Sequence, residues 1–151
     1  MLAPLQLKLA RVGVLSALAL SVAPSANAEV ITMAALRGNW QATLLWSGSG
    51  CGAMTGQLNF TFGANGTTNA ATLTTHSAGC GNGTSRQTFT VQSLKPNGSG
   101  TANLTCGTAC GWQLNIQVTP DLATFNLVDV DPANPGNFVI GTAIKQASGL
   151  P

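Results

Sequence analysis

Between clusters of glycine the chain alternates apolar and polar residues with period two, the spacing of a strand that turns one face to a dry core and the other to water. The stretch Met54-Thr-Gly-Gln-Leu58-Asn-Phe60-Thr-Phe62 carries it most clearly, with Met54, Leu58, Phe60 and Phe62 on one side and Thr55, Gln57, Asn59 and Thr61 on the other. Trp112-Gln-Leu114-Asn-Ile116-Gln-Val118 repeats the design. No segment of helical length carries the 3.6-residue period. The pattern predicts eight strands, at about 38–46, 54–62, 67–75, 85–94, 100–106, 111–118, 123–129 and 137–145.

The breaks carry turn chemistry: Ser47-Gly-Ser-Gly50, Gly63-Ala-Asn-Gly66, Ser77 to Gly83, Lys95-Pro-Asn-Gly98, Gly107 to Ala109, Thr119-Pro-Asp121 and Asp131-Pro-Ala-Asn-Pro-Gly136. Connections this short join neighbours as antiparallel hairpins, so the fold class is all-β and the simplest topology an up-and-down meander. With eight strands and one apolar face, closure into a single antiparallel barrel removes both exposed edges. A two-sheet β-sandwich is the alternative, because closure leaves no mark in a sequence. In a meander the loops after strands one, three, five and seven share an end. These loops carry Cys51, Cys80, the Cys106 and Cys110 pair, and the segment 131–136.

Composition narrows the chemistry. The chain has 151 residues, room for one domain, and 44% of them are hydrophobic, which excludes a disordered chain despite only six basic and four acidic residues. With one His, no Tyr and four acids, most acid–base enzyme designs lack their parts, so a non-enzymatic protein without a cofactor is expected. Residues 1–28 have the pattern of a secretory signal peptide: Lys8 and Arg11, then an apolar run from Val12 to Val22, then Ala26-Asn27-Ala28 as a cleavage site. That leaves 29–151 as one barrel domain in the periplasm or outside the cell. The apolar run is about 11 residues where about 20 are needed to cross a bilayer, and no later stretch approaches that length, so no membrane span is expected. Without Lys8 and Arg11 the remaining charges are four of each sign, which leaves no basic patch for nucleic acid.

An even number of cysteines in an exported chain points to disulfides. Three pairings of the four are possible. We favour Cys106 with Cys110, stapling a tight loop, and Cys51 with Cys80, tying two distant ones. Only Cys106-x3-Cys110 has the spacing of a zinc knuckle, so no metal site is expected.

The segment Leu36-Arg37-Gly38-Asn39-Trp40 resembles the G-x-W opening of lipocalins and other calycin barrels. The resemblance implies that Trp40 closes one barrel end against a basic residue on the last strand, where Lys145 stands, with Gly38 and Trp40 structural. Exported metalloprotease inhibitors of bacteria also look similar, and there an N-terminal segment enters the protease cleft. Here that segment would be Glu29 to Leu36.

Candidate sites follow from the inward face. If Trp40, Leu44 and Trp46 point inside, then Trp46, Met54, Leu73, Leu104, Trp112, Phe138 and Ile140 ring the cysteine-bearing mouth, a lining suited to a small apolar ligand. The same side chains could simply fill the barrel. The small inward residues Ala42, Gly56, Ala71 and Ala102 leave room for a cavity. His76 falls in the cysteine-end loop with Asp129 and Asp131, but no nucleophile motif or calcium pattern accompanies them. Thr55, Gln57, Asn59, Thr61, Thr88, Thr90, Gln113, Asn115 and Gln117 make the outer face polar yet almost uncharged. The leading expectation is a binding protein for a small apolar ligand. A protein-binding barrel acting through Glu29–Leu36 or the mouth loops, or a structural surface protein without a ligand, is the alternative.

Overall fold

A computed structural model describes residues 30–47, 49–68, 70–106, 110–133 and 136–147, with the side chains of Ser49, Cys106 and Cys110 outside that description. The expected signal peptide, 1–28, therefore lies outside the described residues. Among the described residues no helix is long and apolar enough to cross a membrane.

The strands are β1 (Gly38–Ser47), β2 (Ala53–Phe62), β3 (Ala71–Ser77), β4 (Gly81–Leu94), β5 (Ser99–Cys106), β6 (Cys110–Val118), β7 (Thr124–Asp129) and β8 (Phe138–Lys145). Each pairs antiparallel with the next, and β1 pairs with β8 as well as β2, so the sheet closes into an up-and-down barrel. Closure excludes the sandwich.

Alternation determines the two faces. Trp40, Ala42, Leu44 and Trp46 of β1 turn inward and are buried, as are Leu58, Phe60 and Phe62 of β2. In the lower barrel Trp40, Phe60, Phe62, Phe89 and Phe125 form one aromatic cluster, with neighbouring ring centroids 5.0–6.3 Å apart and tilted or edge-on geometries in most pairs. Such pairs add to the burial term, which for each ring is the larger contribution. Above them Leu44, Leu58, Leu104, Leu114 and Leu127 are buried to 2% exposure or less, so the middle of the barrel is filled. The inward glycines serve that packing. A Cβ on Gly56 would meet the Trp46 ring at 2.7 Å, and one on Gly141 would meet Leu44 Cδ2 at 2.6 Å. Their missing side chains make room for large ones crossing from β1, and not for a cavity.

Two strand starts differ from the sequence expectation by four residues, β3 also ends two residues later, at Ser77, and the other boundaries agree to within one residue. β3 begins at Ala71 and not at 67, because residues 63–67 form a turn closed by Gly63 N–H on the Thr67 carbonyl, with Gly66 at φ +73°. Thr67 keeps only an isolated bridge to Thr90. β4 begins at Gly81 and not at 85. Its first residues pair with β3 alone and are exposed on both faces, so no apolar alternation marks them.

Candidate functional site

The two ends of the barrel differ in construction. At the closed end a 3-10 turn, Met33–Leu36, crosses the barrel floor, with the Thr32 hydroxyl accepting the Ala35 N–H. Ile31 and Leu36 are buried, and Ile31 N–H donates to the Pro96 carbonyl at 3.3 Å. The Trp40 indole N–H donates to the Leu36 carbonyl at 2.7 Å. Lys145 Nζ donates to the Ala35 carbonyl at 3.1 Å and lies 5.6 Å from the Trp40 ring centroid, within cation–π range. Gly38 has φ +130°, and a Cβ there would sit 3.2 Å from Lys145 Cε, so both the backbone angle and the lysine stem favour glycine. Gly38, Trp40 and Lys145 thus form one clasp that holds the turn against the barrel. At the same end Asp121 accepts from the Thr119 hydroxyl and the Ala123 N–H, in that order of effect, and both hold its carboxyl below the ordinary value of 3.8.

The other end carries the loops after β1, β3, β5 and β7. A disulfide between Cys51 and Cys80, with Cα atoms 5.3 Å apart, ties the β1–β2 loop to the β3–β4 turn. Cys106 and Cys110 face each other in the β5–β6 register, but the expected bridge between them lies outside the described side chains.

Of the expected mouth ring, Trp46, Leu73 and Leu104 are buried. Met54 and Trp112, the register partners of Trp46 and Leu104, also point inward and are half-buried. Phe138 and Ile140 do not belong to the ring: they face outward, at 45% and 43% exposure. The register decides this, since buried Val139 lies opposite Trp46 and takes the inward place. Three apolar residues in a row gave no parity signal. Ile140 instead joins an outer row with Leu45 and Val128, its direct partners on either side.

Two inward polar residues are not part of the expected ring: Gln87, and Asp129, which is expected only beside His76 and Asp131 at the cysteine-bearing end. Asp129 follows Phe125 and Leu127 on the inner face of β7, and Gln87 precedes Phe89 and Val91 on that of β4. Strict alternation from those neighbours would have found both. His76 goes the other way: it is exposed on β3, with Nδ1 hydrogen-bonded to the Asn82 side chain across the hairpin. Among the described residues no three His, Cys, Asp or Glu side chains converge as metal ligands would.

The outer wall is polar and neutral, as the alternation implied. Asn126, Thr142, Thr43, Gln57, Thr74 and Thr84 lie in one register row across six strands. Neighbours within such rows bond directly, as Thr142 Oγ1 does to Asn126 Oδ1 at 2.8 Å and Gln41 Nε2 to Asn59 Oδ1 at 2.9 Å.

No protein-family model matches the chain. No curated protein matches it. No solved structure matches it. The site therefore has to be read from its own geometry.

Proposed function

We propose that this chain is an exported, non-enzymatic binding barrel of calycin type that takes a small, largely apolar molecule at its disulfide-bearing mouth. The observation that carries the reading is the contrast among inward side chains. Met54 and Trp112 remain partly open, while their register partners Trp46 and Leu104 and the middle of the barrel are buried. Partly open apolar side chains over a filled barrel suit a ligand that sits at the rim and does not enter it. The Cys51–Cys80 disulfide supports an oxidising compartment, in keeping with the signal-like pattern of 1–28. The closed eight-stranded meander and the Trp40–Lys145 clasp support the calycin assignment.

Native mass spectrometry of the mature protein, purified from the compartment that receives it, tests this. A co-purifying mass that denaturation releases, and that Trp112→Ala loses, is the expected result. A bare wild-type mass would contradict it.

A second reading, a protein-binding barrel, draws on the outer row Leu45, Ile140 and Val128, which is exposed and uncharged. The segment 29–36 is a weaker basis for it, because Ile31 and Leu36 are packed into the closed end. Deleting 29–35 is therefore expected to destabilise the barrel, and not merely to release a partner.

A further inference from the structure

The inner wall below the mouth holds polar atoms that an apolar ligand does not explain. Asp129 ends β7 on its inward face; Oδ1 accepts the Asp131 N–H at 2.8 Å, while Oδ2 is buried and has no hydrogen-bond partner. Gln87 is only 5% exposed, and its amide nitrogen donates to Ser85 Oγ at 2.9 Å. Its Oε1 is also buried and unpartnered. Both orphans are acceptors. Buried acceptors are rarely left unanswered in folded proteins, since each forfeits the hydrogen bonds it had with water.

The distribution of charge agrees. The described residues between strands at this end, 49–52, 78–80, 130–133 and 136–137, contain Asp131 and no Lys or Arg, and Asp129 stands at their edge. Arg37, Lys95 and Lys145 lie at the opposite end, and Arg86 faces outward on β4. A chain without net charge after residue 28 is therefore negative at its mouth, a field that draws cations. Trp112 is the diagonal neighbour of Asp129 on the inner face: Leu114, the register partner of Asp129, is the next inward residue after Trp112.

We infer that the ligand carries a protonated amine on an apolar or aromatic body. This rests on the mouth being the ligand site. The ammonium donates to Asp129 Oδ2, the hydrocarbon covers Met54 and Trp112, and Gln87 offers a neutral acceptor from the β4 wall. A neutral apolar molecule would bury the carboxylate without answering it, and an anion would be repelled. Trp112 adds a cation–π face to the charge.

The test is calorimetric titration of the mature protein with 2-phenylethylammonium, using 2-phenylethanol and phenylacetate as uncharged and anionic counterparts of the same body. The ammonium is expected to bind at least tenfold more tightly than the alcohol, and phenylacetate more weakly than either. Asp129→Asn should abolish the preference without weakening the alcohol, and Asp129→Glu should retain it. Unfolding curves for both variants establish that the barrel is intact. Equal affinities in the wild type, or a preference that survives Asp129→Asn, would overturn the cation inference and leave the mouth reading in place. No binding by any of the three would overturn both.

Discussion

At the closed end the inward polar groups of the clasp find partners within the chain: the Trp40 indole N–H on Leu36 and the Lys145 ammonium on Ala35. On the inner wall away from that clasp, Asp129 Oδ2 and Gln87 Oε1 find none. The same eight strands run through both ends, so the fold does not set this difference. The difference lies in what covers each end: a peptide turn from the chain itself at one, and at the other the partly open side chains of Met54 and Trp112. The polar groups that stabilise the closed end are satisfied within the chain, and if the other end binds as proposed, substitutions should separate the two roles.

The largest effect is expected from Trp40→Ala, which removes a ring in contact with Phe62 and Phe125 together with its hydrogen bond. Urea unfolding should register a loss of about 3–5 kcal/mol, typical of deleting a buried aromatic. Next comes the double replacement Cys51→Ser with Cys80→Ser. The bridge spans 29 positions, and its loss should cost about 2–4 kcal/mol through the entropy of the unfolded chain. Equal urea midpoints for the wild type under reducing and oxidising conditions would break that expectation. Lys145→Met keeps most of the stem over Gly38 and removes the charge from Trp40, so a loss of about 1 kcal/mol should follow in the same assay.

The smallest effect concerns pH. Asp121 has its carboxyl lowered in the folded state by Thr119 and Ala123, so its contribution is present above the unfolded carboxylate value and is lost as pH falls through the folded one. Asp121→Asn should flatten the acid limb of the stability curve and leave its shape near neutrality unchanged. An acid limb identical to that of the wild type would remove Asp121 from the account.

Much of the barrel was legible because one physical rule, alternation against a single dry face, repeats in almost every strand. Leu58, Phe60 and Phe62 fall inward as their spacing demands, and the short Gly- and Pro-rich breaks left little choice but hairpins. The rule gave no answer where its contrast vanished. Phe138, Val139 and Ile140 are all apolar, so only the register opposite Trp46 could say which of them faces inward. Gly81 to Thr84 lie on a hairpin exposed on both faces, so nothing apolar announced a strand. The site was harder still. Asp129 and Gln87 are polar residues in inward positions, and hydrophobic patterning treats such residues as strand ends or outer-face members. Their unanswered oxygens became visible only once the barrel had closed around them.

The three tryptophans allow one spectrum to test the separation of the two ends. In a proton–nitrogen correlation of the mature protein titrated with 2-phenylethylammonium, the indole N–H signals report on Trp40, Trp46 and Trp112 at once. The account predicts the largest shift at Trp112, a smaller one at buried Trp46, and none at Trp40 on the closed end. A titration that moves Trp40 as much as Trp112, or that leaves Trp112 unmoved, would contradict it.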